Sequence, residues 1–215
     1  MSGLPLYLAL AVIGYLLGSI PSGQIVGALN GGIDLRRYGS GKIGTTNALR
    51  TLGWGAAVAV FAGDVLKALA AVLIARWLSP GNEQAVAEVV AGFAAVVGHN
   101  WPLYIGFKGG RGVAVSFAVF LFICWPAALI SMALAAAILA IGRMVSLASL
   151  LGSLIGLLLL AAFVFWGHYP FPYFIYGILA AALIWLRHID NIQRLLAGTE
   201  RKIGQKAQPI GESSQ

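Results

Sequence analysis

Three stretches of this chain bring glycines, short polar side chains and cations close enough together to hold an anion. The first is Gly39-Ser40-Gly41-Lys42-Ile43-Gly44-Thr45-Thr46-Asn47-Ala48-Leu49-Arg50. Its glycines let successive backbone N–H groups point into one concavity. Ser40, Thr45, Thr46 and Asn47 add short donors, and Lys42 and Arg50 add charge. The stretch contains a formal G-x-G-x-x-G, but a dinucleotide fingerprint needs a strand before it and a βαβ unit around it. Here it lies between two long apolar runs, which rejects that reading. An anion cradle is favoured over a merely flexible basic loop.

The second stretch is Gly98-His99-Asn100-Trp101-Pro102, followed by Phe107-Lys108-Gly109-Gly110-Arg111-Gly112. Lys108 and Arg111 in a glycine-rich turn form a second cradle, and a helix starting near Val113 would aim its N-terminus at the anion. The plain alternative is that the two cations only mark a side of the membrane. The third stretch runs from Arg187-His188 through Asp190 and Asn191 to Glu200. His188 and Asn191 are three residues apart and share a helical face, though a basic helix lying on lipid headgroups would look the same. Arg143 to Ser149 is a smaller candidate, with Ser146 at the entry to an apolar run. Asp64 and Lys67 lie inside another such run, where ionised groups must be paired or solvated. They read as a structural ion pair, and His99 as a hydrogen-bonded packing residue. Seven scattered Asp and Glu residues and a single cysteine, Cys124, leave no expected metal site, cofactor or internal disulfide.

The elements that must position these motifs are membrane helices. Of the 215 residues 60% are apolar and 10% charged, and a soluble domain of this length needs roughly twice that charge. Apolar runs of about 18 residues or more recur, each long enough to cross a bilayer core. The run from Leu4 to Leu29 has no basic region before it and reads as a span, not a cleavable leader. The chain is therefore expected to be all-α, a polytopic integral membrane protein.

Charge placement sets the expected topology. The fourteen Lys and Arg residues gather in the first motif, in Lys108 to Arg111, at Arg143 and near the C-terminus, with only Lys67 and Arg76 elsewhere. Positive loops face the cytoplasm, so an even number of crossings must separate these regions. Gly53 to Leu78 goes out and Ala85 to Phe107 returns. Val113 to Ile141 breaks at Trp125-Pro126 into two short spans, Val145 to Trp166 goes out, and Pro172 to Leu186 returns. The result is seven transmembrane helices, N-terminus outside and C-terminus cytoplasmic. Five spans with Val113 to Ile141 as a re-entrant pair give the same sidedness. Residues 1–204 form one domain. Residues 188–204 read as an amphipathic cytoplasmic helix, and residues 205–215 as a polar, disordered tail. The net charge of +7 is accounted for by cytoplasmic loops on anionic lipid and needs no nucleic acid.

Taken in order, the motifs resemble those of the bacterial membrane acyltransferases that use acyl phosphate to acylate glycerol 3-phosphate. That family carries S-G-N-x-G-[AS]-T-N-x-x-R, G-H-x-x-P with F-x-G-G-K-G-V-A, and R-H-x-x-N-I-x-R-L-x-x-G-x-E. This chain has Ser40 to Asn47 with Arg50, then Gly98-His99, Pro102 and Phe107 to Ala114, then Arg187-His188, Asn191-Ile192, Arg194-Leu195, Gly198 and Glu200. It also shares Ser19-Ile20-Pro21-Ser22-Gly23, the Asp64/Lys67 pair and Val145 to Ser149. Lys42 stands where the family has Asn, Thr45 where it has Ala or Ser, and Arg111 where it has Lys.

The resemblance implies an acyltransferase of the bacterial inner membrane, active at the cytoplasmic face, that makes 1-acylglycerol 3-phosphate in the first acylation of phospholipid synthesis. It also implies functional coupling to the enzyme that makes acyl phosphate. Lys108, Ser146, His188 and Asn191 are the expected catalytic residues. Substrate contacts are expected from Ser40, Gly41, Lys42, Thr45, Thr46, Asn47, Arg50, Gly109, Gly110, Arg111, Gly112 and Arg143. No histidine here belongs to an H-x-x-x-x-D pair. The base is then His188 or a substrate phosphate oxygen, and the phosphate is preferred, with His188 holding it. The competing class is an organic-phosphate transporter. Transporters commonly show inverted repeats and binding sites at the midplane, whereas this chain shows no internal repeat and its motifs lie at one face.

Overall fold

Long apolar stretches broken by Pro and Gly give helices joined by short turns. The computed structural model describes residues 3–210. In chain order the helices are α1 (Leu4–Gly18), α2 (Ser22–Leu29), α3 (Thr45–Leu52), α4 (Trp54–Leu78), α5 (Gln84–Asn100), α6 (Val113–Ile123), α7 (Trp125–Gly142), α8 (Val145–Phe165), α9 (Phe171–Arg187) and α10 (Ile189–Leu196). The only strand-like pairing outside them, among the described residues, is one antiparallel bridge between Tyr38 and Pro209.

Four segments are long and apolar enough to cross a membrane: Leu4–Leu29, Trp54–Leu78, Trp125–Gly142 and Val145–Phe165. A fifth appears if α9 and α10, bent by 62°, count as one. Leu8, Val12, Trp77, Leu158 and Ile141 stand exposed, as lipid-facing side chains do. The expected break in Val113 to Ile141 falls at Cys124, with Pro126 in the first turn of α7, where its missing N–H costs nothing. The return span expected to reach Phe107 stops at Asn100, because Pro102 follows and cannot continue a helix.

Small residues let the helices approach. Gly14 and Gly18 on α1 lie directly against the backbone of Ala91 and Ala95 on α5. This is a small-xxx-small contact, which packs membrane helices where no hydrophobic force distinguishes protein from lipid. Ala68, Ala71, Val72, Ala95, Val96, Ala118 and Val119 continue the core between α4, α5 and α6. At the end where α4 stops and α5 and α9 begin, Glu88 is fully buried. It accepts from Arg76 Nε at 2.7 Å, Gln84 Nε2 at 2.9 Å and the Tyr173 hydroxyl at 2.6 Å. That satisfied carboxylate ties three helices together.

Two expectations for the C-terminal region change. The amphipathic helix ends at Leu196 and does not reach residue 204, because Gly198 adopts a left-handed φ of 71° and Thr199 N–H turns back to the Arg194 carbonyl at 2.8 Å. This is a glycine stop of the Schellman kind. Residues 205–210, expected to belong to a disordered tail, run as a strap along the first motif. Ala207 N–H donates to Arg50 O at 3.1 Å, Gly39 N–H to Gln208 O at 2.9 Å, and Ile210 N–H to Arg37 O at 2.8 Å. Residues 211–215 lie outside the described residues.

Gly18→Leu would drive a side chain into the Ala95 backbone and force α1 off α5. Overpacking of this kind costs about 1–3 kcal/mol. We expect a lower melting temperature in detergent for Gly18→Leu and a near-native one for Leu8→Ala, whose side chain is exposed.

Candidate active site

The first motif is folded around one asparagine. Asn47 Nδ2 donates to the carbonyls of Leu35, Tyr38 and Lys42 at 2.9, 3.0 and 2.9 Å, and Oδ1 accepts from Ser40 N–H at 3.1 Å. The side chain is buried. Its carboxamide is consumed in shaping the loop, so Asn47 acts as a latch. What the loop presents is the start of α3, which carries no side-chain cap. The N–H groups of Thr45 and Thr46 are therefore open to a ligand.

The second motif is held just as firmly. Gly110 N–H donates to the His99 carbonyl at 3.1 Å, and Arg187 NH2 donates to the Gly110 carbonyl at 2.9 Å. A side chain at Gly109 or Gly110 would meet the His99 backbone or ring, which is why two glycines stand together. His99 is fixed in turn. Its Nδ1 lies 3.3 Å from Asp64 Oδ1 and 3.0 Å from Lys67 Nζ, and Lys67 also bonds Asp64 at 2.8 Å and the Ile20 carbonyl at 2.8 Å. The expected structural ion pair thus extends to the expected packing histidine, and together they support this loop. Gly112 takes a φ of 78° and caps α6 without a side-chain bond. Phe107 and Arg143, the two non-glycine residues with positive φ among the described residues, flank these turns. Such strain tends to collect at functional sites.

The motifs surround one cavity of about 490 Å³. The uncapped N-termini of α3, α6 and α8 all reach it, through Thr45 and Thr46, Val113 and Ala114, and Val145 and Ser146. Lys42, Arg50 and Arg111 line it together with His188, Asn191 and Glu200, and Arg111 and Glu200 are close enough to His188 to act on its charge. From there the lining turns apolar along α7 and α8, past Met132, Ala135, Gly152 and Gly156 to Phe120 and Leu160. The polar end is unsatisfied: Thr45 Oγ1, Arg50 Nε, Arg111 Nε, Ser146 Oγ and Asn191 Oδ1 are all buried without a hydrogen-bond partner. Buried polar atoms are normally paired, so five orphans around one cavity mark the place of a polar ligand.

Electrostatics point the same way. Burial lowers the pKa of Lys42, and Arg187 and Arg111 nearby lower it further. Burial and Arg201 lower Arg50. Burial and Arg194 bring Arg111 down to about 10, still protonated at neutral pH. Each cation would be relieved by an anion.

His188 follows α9, at its junction with α10. Burial, then Arg111, hold its imidazole at about 4, so it is neutral at pH 7. Its Nδ1 lies 2.7 Å from the Ile184 carbonyl. A carbonyl only accepts, so Nδ1 carries the proton and Nε2 is left as an acceptor. That atom suits a hydroxyl better than a phosphate oxygen.

A glycerol-3-phosphate acyltransferase family model matches residues 8–198. The chain belongs to that family. A glycerol-3-phosphate acyltransferase of Gloeobacter violaceus is 45% identical over 205 residues, covering 94% of this chain and 98% of that one. One from Parasynechococcus marenigrum is 46% identical over 200 residues, covering 93% and 91%. The fold is similar to the crystal structure of PlsY (YgiH), an integral membrane glycerol 3-phosphate acyltransferase, in its glycerol 3-phosphate form. The TM-score is 0.83 at 38% identity, covering 92% of this chain and 96% of that one. Its lysophosphatidic acid form gives a TM-score of 0.81 at 37% identity, with coverage of 93% and 96%. The chain is thus a multi-pass membrane acyltransferase.

In this member of the family, Ser40, Lys42, Thr45, Thr46, Asn47, Arg50, Arg111, Gly112, Ser146, His188 and Asn191 line the main cavity. Gly41, Lys108 and Gly109 line an adjoining recess with Arg36 and Arg187, and Lys42 borders both. Gly110 and Arg143 are not among the residues lining either. Gly110 is gripped by Arg187 and His99, and the Arg143 carbonyl accepts from Ile203 N–H at 2.6 Å. Sequence reasoning passed over Arg187 and Glu200 as site residues, although both stood inside the third motif.

The latch and the ligand roles separate by mutation. Asn47→Ala removes a buried carboxamide with four hydrogen-bond partners and should lower the melting temperature markedly, a group orphaned in the interior costing about 1–3 kcal/mol. Thr45→Val deletes only an unpartnered hydroxyl at the cavity and should leave the melting temperature within error while reducing acyl transfer about tenfold or more. Thermal denaturation and acyl-transfer kinetics on the same preparations check both.

Proposed function

We propose that the chain transfers a fatty acyl group from acyl phosphate to the 1-hydroxyl of glycerol 3-phosphate, releasing 1-acylglycerol 3-phosphate and inorganic phosphate. One observation carries this reading: the cavity joins a cationic head directly to an apolar trough. An acyl phosphate has the same two parts, an anion bonded directly to an acyl chain. The relative solved with glycerol 3-phosphate supports the acceptor.

The chemistry follows from the lining. Lys42, Arg50, Lys108 and Arg111, with the helix N-termini, take the two phosphates. The glycerol hydroxyl donates to His188 Nε2 and is held against the acyl carbonyl. Its oxygen attacks the carbonyl carbon, and the carbonyl oxygen becomes an oxyanion near the Ser146 hydroxyl and the α8 N-terminus. Preorganised donors of this kind stabilise such charge strongly. The oxyanion collapses, the carbon–oxygen bond to phosphate breaks, and phosphate leaves. Burial and Arg111 hold the His188 imidazole down at about 4, which makes it a weak base. As the oxygen attacks, its O–H turns from His188 Nε2 to a substrate phosphate oxygen, which takes the proton. His188 holds the hydroxyl, where the sequence-based expectation had it holding the phosphate.

For the membrane setting we read seven crossings, with the N-terminus outside and the C-terminus and active site at the cytoplasmic face of the bacterial inner membrane. The gathering of Lys42, Arg50, Lys108, Arg111 and Arg187 around two adjoining recesses supports the cytoplasmic placement of the site, since positive charge marks that side. The trough would admit acyl phosphate laterally from the bilayer, which fits coupling to the enzyme that makes it.

The test is purified protein with acyl phosphate and labelled glycerol 3-phosphate. Turnover should survive chelation, and an acyl thioester should not replace the donor. Lys108→Ala should lose about a hundredfold or more, the scale of one lost preorganised donor. His188→Gln keeps an acceptor oxygen and should retain part of the activity, with the acid limb of its pH profile superimposed on that of wild type. His188→Ala should lose far more. Abolition by chelator, or equal use of a thioester, contradicts the donor assignment. Equal, near-complete loss in the Gln and Ala variants makes His188 the base.

A further inference from the structure

Glu200 lies beyond the end of α10, where the chain doubles back after Gly198. One carboxylate oxygen accepts from Asn191 Nδ2 at 2.8 Å and the other from Arg194 Nε at 2.9 Å. Its side chain is 4% exposed. Asn191 is 2% exposed, and its Oδ1 is buried with no partner. Both residues line the cavity.

A carboxamide offers donors on one side and an acceptor on the other, and either side can face a ligand. An ionised carboxylate only accepts, so Glu200 forces the Asn191 NH2 toward itself and leaves Oδ1 for the cavity. Arg194 fixes the carboxylate by occupying its second oxygen. Without Glu200 the amide could turn over and present N–H groups, which would suit a phosphate. With it, Asn191 Oδ1 joins His188 Nε2 as a second acceptor one helical turn away. The remaining lining near them is rich in donors: Lys42, Arg50, Arg111 and the three helix N-termini. The cavity is thus divided by hydrogen-bonding sense, with donors for phosphate and two acceptors for groups that bear protons.

We propose that Glu200 is a positioning residue that locks the Asn191 carboxamide with Oδ1 toward the cavity. His188 Nε2 and Asn191 Oδ1 then accept hydrogen bonds from two adjacent hydroxyls of the acyl acceptor. This rests on the reading that glycerol 3-phosphate is the acceptor. It adds that the hydroxyl left unacylated is recognised, and by which atom.

Two measurements test it, both with an acyl phosphate donor. The first compares glycerol 3-phosphate with 3-hydroxypropyl phosphate, which lacks the middle hydroxyl. Wild type should show kcat/KM lower by about tenfold or more for the analogue, because a buried acceptor is left unpaired. The second exchanges the two side chains. Asn191→Asp alone sets two carboxylates against each other and should lose about tenfold or more. In the double variant Asn191→Asp/Glu200→Gln, the glutamine NH2 donates to one aspartate oxygen, its carbonyl accepts from Arg194, and the other aspartate oxygen faces the cavity. That variant should recover most of the lost activity and restore the discrimination against the analogue. Equal use of the two acceptors by wild type overturns the proposal, and so does a folded double variant no better than Asn191→Asp. If wild type acylates neither acceptor from any acyl phosphate, the assigned reaction fails and the proposal falls with it.

Discussion

The structure depends on half-buried positive charge that the chain only partly neutralises itself. Lys42, Arg50 and Arg111 share one cavity, and partial burial there disfavours their charged forms unless each is paired. Of the carboxylates at this end, Asp190 is exposed and attracts Lys42, Arg111 and Arg187 only from a distance, and the others are already engaged. Asp34 binds Arg36, Asp64 binds Lys67 and His99, and Glu200 binds Asn191 and Arg194. The three uncapped helix N-termini add partial positive charge. An entering anion is what offsets this excess, so binding and electrostatic relief are one event.

The rest of the fold keeps that arrangement rigid and reachable. The Asn47 latch and the His99–Asp64–Lys67 group hold two glycine-rich turns in shapes that their own sequences would not keep. The strap from Gln205 to Ile210 fastens the first of these turns from the far end of the chain. Away from the cavity, the Glu88 cluster joins α4, α5 and α9. Small residues also join α8 to its neighbours. Gly152 and Gly156 let α8 close on Ala135 and Ser131 of α7 and on Phe120 of α6, residues that wall an apolar trough continuous with the charged head, so that a ligand with one lipid end and one ionic end meets a matching site.

Much of this was legible from local chemistry. Pro126 marked the start of α7, glycines flanked by cations marked the two turns that border the recesses, and charge placement gathered the basic regions together. What escaped depends on contacts distant in sequence. Helix α3 was read as loop because glycine-rich composition surrounds Thr45–Leu52, although Gly44 and Gly53 bracket it. Asn47 was taken for a ligand because an asparagine in such a loop is a donor; only the folded loop shows the Leu35, Tyr38 and Lys42 carbonyls consuming it. Glu200 was one lone acid in a basic tail until the turn at Gly198 brought it under Asn191. The hydrogen-bonding sense of His188 depends on the Ile184 carbonyl, which no pattern of residue types reveals.

The central claim is that the cavity is an anion site whose unpaired donors and cations are satisfied by substrate phosphate. The most direct measurement is the melting temperature of the purified protein in detergent against glycerol 3-phosphate concentration, with glycerol at equal concentration and chloride at equal ionic strength as controls. A ligand that binds only the folded state stabilises it by mass action. The account predicts a saturable rise with glycerol 3-phosphate, little with glycerol or chloride, and a much smaller rise in Arg111→Ala. Equal shifts in all three solutions, or an undiminished rise in Arg111→Ala, would contradict it.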